Sequence, residues 1–313
     1  MRLLLGLLLA GASFAQSREG FLNVPGGPVF YRITGSGRGI PLVVLHGGPG
    51  GTSCGFRALG AMGAERPVVA YDQLGSGRSG RPADPGLWRV ERFVEELHAL
   101  RKQLGLKRMH LMGQSWGGSL AAAYVLAKGT KGIASLTLSS ALLSTKDWMR
   151  DAGELKKQLP ADVQEVLNRH EAAGTTNDPA YRKAEGEYTR RFVRRSPPGP
   201  PNPECAESLR NRTIYEQMWG PTEFFATGSL KEFDVTGRLG ELRLPVLFLN
   251  GEFDEARPET AARYQKLVPG SKLEVIPEAA HSLLGDQPAK TIEVLRRFLA
   301  EAEGTTQGAI RRE

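Results

Sequence analysis

Short apolar runs alternate with segments of helical period along this chain. Val29 to Thr34 alternates apolar and polar positions, and with Phe21 to Val24 it predicts an antiparallel hairpin. Pro41 to Leu45 and Pro67 to Tyr71 are continuous apolar runs, as strands buried on both faces require. Val90 to Leu104 carries apolar residues at helical spacing. Arg108 to Met112 predicts a strand, Ser115 to Lys128 a helix and Ile133 to Ser139 a further strand. From about Leu142 to Arg238 the chain turns polar, helix-prone and interrupted, and the Pro-rich stretch Ser196 to Pro203 resists regular structure. Alternation returns with Leu244 to Leu249, Glu259 to Leu267, Lys272 to Ile276 and Pro288 to Ala300.

Strands alternating with helices predict an α/β fold: a mostly parallel central sheet with helices on both faces. The polar middle section is then an insertion, a helical cap of residues 142–238 over the C-terminal edge of the sheet, where open α/β sheets bind ligands. The core would comprise 16–141 and 239–301, and 302–313 a flexible tail. Residues 1–15 have the form of a secretory signal peptide: Arg2, an apolar stretch from Leu3 to Ala12, and the small-x-small site Ser13-Phe14-Ala15. That predicts a secreted or periplasmic protein with no stable membrane association once the signal is cut.

At 313 residues the chain can bury a full core. Its net charge of +7 does not point to nucleic acid. Basic residues are scattered among acidic ones, and the densest patch, Arg190-Arg191 with Arg194-Arg195, reads as a solvated face. Cys54 and Cys205 are the only cysteines, without a CxxC or Cys/His cluster, so a structural zinc site is not expected. They would be either a disulfide, as an exported protein permits, or two free thiols.

The chemistry centres on Gly113-Gln114-Ser115-Trp116-Gly117, between a predicted strand and a predicted helix. A serine on such a turn presents its hydroxyl at the top of the sheet. Gly51-Thr52-Ser53-Cys54-Gly55 fits the same pattern but follows no apolar strand directly, and reads as a loop-to-helix entry. A serine nucleophile needs a base and the base an orienting acid. Of five histidines, only His281 follows the last predicted strand. The loop after Leu244 to Leu249 offers Glu252, Asp254 and Glu255. Asp254 has the short side chain that suits the role in similar sequences, with Glu252 as the alternative. The order Ser115, Asp254, His281 is that of an α/β-hydrolase. Oxyanion donors would be the backbone N–H groups of Trp116 and of Gly48, in His46-Gly47-Gly48-Pro49-Gly50.

The loop His46 to Gly50, the segment Tyr71-Asp72-Gln73-Leu74-Gly75-Ser76-Gly77-Arg78-Ser79, the turn Gly113 to Gly118 and the loop Gly251 to Arg257 together resemble the proline iminopeptidase family of α/β-hydrolases, over about Phe21 to Leu299. The resemblance implies a Ser-Asp-His aminopeptidase, without metal or organic cofactor, that releases N-terminal residues, often proline, from short peptides or amino-acid amides. It also implies that Glu255 and Glu223 bind the substrate's α-ammonium. A buried ammonium is expensive unless carboxylates pair with it, so an N-blocked substrate would be rejected. The bland alternative is that both glutamates are solvated or pair with an arginine such as Arg257. Trp116, Trp148, Trp219, Phe224 and Phe225 could line an apolar pocket, but ordinary core is the commoner use and they are left unassigned. Two rival functions remain open. One is an esterase, lactonase or amidase on the same scaffold, distinguished by indifference to a free amine. The other is a non-catalytic binding protein, against which the intact Ser115, Asp254 and His281 argue. Epoxide hydrolases and dehalogenases use aspartate at the place of Ser115.

Overall fold

The computed structural model describes residues 17–310 except 198, 201, 207 and 208, and only the backbone of 305–310. The expected signal peptide lies outside the described residues. An eight-stranded sheet carries the fold, in the order β1-β2-β4-β3-β5-β6-β7-β8. Strands β1 (Ser17–Val24) and β2 (Gly27–Thr34) form the hairpin read from the sequence, with Phe21 opposite Phe30. Strand β2 pairs antiparallel with β4 (Val68–Tyr71). The remaining pairs, through β3 (Leu42–Leu45), β5 (Met109–Gln114), β6 (Ile133–Ser139), β7 (Val246–Gly251) and β8 (Lys272–Ile276), are parallel.

The continuous apolar runs follow from burial on both faces. Val43 and Leu45 point into one core with Phe93, Leu97 and Leu100 of α1 (Val90–Gln103) and Leu120, Tyr124 and Val125 of α2 (Trp116–Lys128). Leu42 and Val44, one residue out of phase, point into the opposite core with Phe56, Leu59 and Met62 and with Leu295, Phe298 and Leu299. Period-two alternation is invisible in the sequence because both faces want apolar residues.

Between β6 and β7 the chain inserts α3 (Thr145–Lys156), α4 (Ala161–Ala173), α5 (Pro179–Tyr188) and α6 (Arg212–Met218). Asp178 caps α5, its side chain accepting from the Ala180 amide, with Pro179 at the first helical position. Leu155, Leu159, Leu167, Tyr181, Tyr188, Phe192 and Phe224 give the insertion an apolar cluster of its own. Helix α5 runs straight into a π-helical turn, Thr189–Val193. After β7 come α7 (Pro258–Gln265), α8 (Leu283–Asp286) and α9 (Pro288–Ile310).

The expected flexible tail from 302 needs correction, because α9 continues to Ile310. Ala302 is buried, and Glu303 accepts hydrogen bonds from Arg66 (2.5 Å) and His110 (3.0 Å) beneath the sheet. A buried guanidinium needs a carboxylate partner, and that partner anchors the helix end. The cysteine question is also settled. Cys54, in the 3₁₀-helix Ser53–Met62, bonds Cys205 of the insertion, with Cα atoms 5.7 Å apart and a sequence separation of 151. Closing so long a loop restricts the unfolded chain by about 2–5 kcal/mol in the chain-entropy account. Replacing both cysteines by serine should therefore lower the midpoint of denaturant unfolding without loss of secondary structure. An unchanged midpoint would show that the bridge contributes nothing.

Candidate active site

Five strand ends converge on the site. The loops after β3, β4, β5, β7 and β8 carry His46–Gly50, Asp72–Ser79, Ser115, Asp254–Glu255 and His281 respectively. Ser115 sits between β5 and α2 with φ 58° and ψ −125°, a conformation foreign to a residue with a side chain. Such strain costs on the order of 1–3 kcal/mol and persists only when the surroundings enforce it. Close packing does so here. A Cβ added to Gly113 would lie 2.0 Å from the Gly117 carbonyl oxygen, and one on Gly117 would lie 2.0 Å from that of Leu45. A Cβ on Gly47 would lie 2.8 Å from Ser115 Cβ, so the glycine loop is packed directly against the serine. Gly48 has φ 114°, which glycine tolerates. At the other end of the turn, Trp116 opens α2, where backbone N–H groups have no partner within the helix.

The His281 imidazole is buried, and its Nδ1 donates to Asp254 Oδ1 at 2.9 Å. Asp254 is held on every side: Oδ1 also accepts from the Ala256 amide (2.9 Å), and Oδ2 accepts from the Gly251 amide (3.1 Å) and the Ser140 hydroxyl. Glu252 is exposed and accepts from the Glu278 amide at 2.9 Å, so it is not the partner of His281. His281 Nε2 faces Glu255 Oε1 at 3.7 Å. It shares no hydrogen bond with Ser115 among the described residues; in enzymes without substrate such contacts are often loose. The two loops nevertheless meet, with Gln114 Nε2 donating to the His281 carbonyl at 3.4 Å.

The other histidines are engaged elsewhere. His110 bonds Ser135 and Glu303 inside the fold, and burial pushes it down to about 4. His46 bonds its own loop and Gln73. His98 lies 3.4 Å from the Tyr124 hydroxyl, and His170 bonds Thr175 at 2.8 Å.

Glu255, from the loop after β7, and Glu223, from the insertion, lie near enough for their charges to act on one another. Burial raises Glu255 well above the usual carboxylate range, and the charge of Glu223 adds to the rise. Its Oε2 is buried without a hydrogen-bond partner among the described residues. Burial also raises Glu223, which accepts from the Tyr215 hydroxyl at 2.5 Å. Arg257 pairs with Glu259 at 3.3 Å and leaves both glutamates alone. For His281, burial works against the charged form, but Asp254, Glu255 and Glu223 outweigh it and raise the imidazole to about 9.

The α/beta hydrolase fold model matches residues 40–288. A proline iminopeptidase of Heyndrickxia coagulans is 44% identical over 90% of this chain and 98% of its own length. The chain belongs to the proline iminopeptidase family. The solved proline iminopeptidase of Mycobacterium smegmatis superposes with a TM-score of 0.84 at 33% identity, covering 92% of this chain and all (100%) of that one. The structure of VinJ does so with a TM-score of 0.85 at 34% identity, covering 91% of this chain and 99% of that one.

Several residues of this family member's site went unread in the sequence. Ser140 holds Asp254 from the end of β6, at φ 47°, and no spacing signalled it. The Phe192 carbonyl, in the π-helical turn, accepts from both the Glu255 amide (3.1 Å) and the His281 amide (3.2 Å). That backbone contact carries no side-chain signature. Trp148 packs edge-on to His281 with ring centroids 5.6 Å apart, so it belongs to the site wall, whereas Trp116 is fully buried in the core. Trp219 and Phe224 are also buried, and Phe225 is partly exposed. Ser140→Ala should lower kcat by about tenfold, by removing one of the two donors to Asp254 Oδ2, and destabilise the fold by about 1–3 kcal/mol. Steady-state kinetics with a denaturant titration checks both; unchanged kcat would show that Ser140 does not position Asp254.

Proposed function

We propose that this protein is a serine aminopeptidase that releases N-terminal residues, proline favoured, from short peptides or amino-acid amides. The observation that carries the reading is the placement of His281, between the fixed Asp254 at Nδ1 and the pair Glu255 and Glu223 on its other side. A hydrolase acting on neutral esters has no use for one buried and one half-buried carboxylate beside its base. A substrate ammonium beside them would favour their charged forms against the burial that disfavours them, and give the unpartnered oxygen of Glu255 a donor. The family relatives, named proline iminopeptidases, support the same substrate class.

The steps follow from the roles proposed for Ser115, Asp254 and His281. His281 Nε2 takes the proton of Ser115 Oγ as that oxygen attacks the carbonyl of the first residue. The negative charge moves onto the carbonyl oxygen, which accepts from the Gly48 and Trp116 amides. His281 passes its proton to the leaving nitrogen, the C–N bond breaks, and the first residue stays as an ester on Ser115. Water, deprotonated by His281, then releases it as a free acid. Asp254 holds the tautomer and stabilises the imidazolium. Residues 142–238 act as the cap that sets the depth of the site and limits it to chain ends. We further propose export, with residues 1–15 as the signal. The Cys54–Cys205 bridge supports an oxidising compartment, and no described helix is long and apolar enough to cross a membrane.

A panel of fluorogenic proline, alanine, leucine and phenylalanine amides, free and N-acetylated, tests the reading on wild type and Ser115→Ala. Among the amides, cleavage confined to those with a free amine, fastest with proline and lost in Ser115→Ala, is expected. Equal turnover of acetylated substrates would move the protein to the esterase and amidase side. The base must be neutral to act, so kcat/KM should rise with pH through the titration of His281 near 9. Glu255→Gln removes a negative charge beside it and should move this limb to lower pH. The measurement uses p-nitrophenyl acetate, whose lack of an amine keeps substrate ionisation out of the profile. An unmoved limb would show that Glu255 does not act on His281.

A further inference from the structure

Gln73 lies one residue beyond Asp72 in the loop after β4, is buried, and engages every polar atom it has. Its Nε2 donates to the His46 carbonyl at 2.8 Å, and its backbone amide donates to His46 Nε2 at 2.9 Å. Its Oε1 accepts from the Trp116 indole Nε1 at 2.8 Å. Its own carbonyl accepts from the Ser76 amide (3.1 Å) and hydroxyl (3.0 Å). The orientation of the amide group is not free. An indole nitrogen only donates, so the side-chain oxygen must face Trp116 and the nitrogen must face the His46 carbonyl. The His46 tautomer follows too: Nε2 accepts from Gln73, so Nδ1 carries the proton and donates to the Gly47 carbonyl at 2.9 Å.

These contacts join two segments that share no direct hydrogen bond among the described residues. One is the glycine loop His46–Gly50, which supplies Gly48. The other is the first residue of α2, Trp116. These are the two proposed oxyanion donors. We propose that Gln73 is a positioning residue that sets the separation of the Gly48 and Trp116 amides, and so tunes the stabilisation of the tetrahedral intermediate without touching the substrate. Oxyanion donors act only at correct distance from the developing charge, and an error of about 1 Å in placement costs on the order of a hundredfold in rate. Gln73 is better placed for this than a residue of either arm, because its one side-chain amide holds the His46 carbonyl through Nε2 and the Trp116 indole through Oε1. Its surroundings support its rigidity. The neighbouring Leu74 amide donates to the buried carboxylate of Glu96 at 3.3 Å, and Asp72 Oδ1 and Oδ2 accept from the Ser53 (2.8 Å) and Arg78 (2.9 Å) amides. Loss of the Gln73 amide group would therefore leave the loop standing, with its backbone amide still on His46 Nε2, and remove only the side-chain bridge between the His46 carbonyl and the Trp116 indole.

The proposal rests on the aminopeptidase reading for its substrate but not for its chemistry. Gln73→Glu is nearly isosteric, keeps an oxygen for Trp116 and removes the donor to His46. Gln73→Leu removes both contacts, and Trp116→Phe removes the indole donor while keeping the backbone amide. Each variant is compared with wild type in kcat and KM on proline amide substrates. Each is also tested for binding of prolinal, whose aldehyde forms an oxyanion on Ser115, and of prolinol, which forms none. The expected result is a fall in kcat of about 10–100-fold with KM little changed, a matching loss of prolinal affinity, and unchanged prolinol affinity. Parallel loss of prolinal and prolinol binding would overturn the proposal in favour of a merely structural role, as would unchanged kcat in Gln73→Leu. Should wild type cleave p-nitrophenyl acetate but no free-amine amide, the aminopeptidase reading falls while Gln73 is still judged on the ester. A fall in ester kcat in the variants then supports its role, and an unchanged value overturns it.

Discussion

The hydrogen bond from His281 to Asp254, 2.9 Å long and shut away from water, is the interaction on which the rest of the site depends. A buried carboxylate is tolerable only when its lone pairs are met, and here two amides, a hydroxyl and the imidazole meet them. That requirement explains local features otherwise without purpose. Gly251 has no room for a side chain, since a Cβ there would lie 2.4 Å from the Ala280 carbonyl oxygen. Ser140 takes a left-handed conformation to bring its hydroxyl to the acid. The Phe192 carbonyl ties the loops of Asp254 and His281 to each other, from an element far away in sequence.

The insertion is thus a working part of the proposed machinery as well as a cover over it. Its π-helical turn widens the last turn of α5 by one residue and presents a carbonyl that an uninterrupted α-helix would use internally. The hydrogen bond from the Asn211 amide to the Gly50 carbonyl (2.8 Å) binds the other end of the insertion to the glycine loop, and the disulfide from Cys205 binds it to the helix that follows that loop. The two halves of the proposed chemistry, proton transfer and oxyanion stabilisation, are therefore each braced from the same inserted segment.

In the proposed aminopeptidase, charge is what would make the site selective. Asp254, Glu255 and Glu223 surround one imidazole, with no arginine or lysine paired to either glutamate among the described residues. In a setting this dry, that excess of negative charge favours a cation, supplied either by a proton on His281 or by a substrate ammonium. The two compete electrostatically, so a bound ammonium also favours the neutral imidazole that catalysis needs.

The sequence by itself determined the order of strands and helices, the strand–turn–helix around Ser115, and the choice of His281 by position. These are local properties: apolar runs, small residues where the chain turns sharply, and chain order. Helix α9 overran its expected end because Glu303 finds partners in Arg66 and His110, far away along the chain. Asp254 could be preferred over Glu252 on side-chain length, but only the fold shows one turned inward and the other exposed. Ser140, the Phe192 carbonyl, the Gln73 bridge and the Cys54–Cys205 bond were decided by tertiary structure alone. Each joins segments whose separation in sequence carries no periodicity, and backbone carbonyls look alike in every residue.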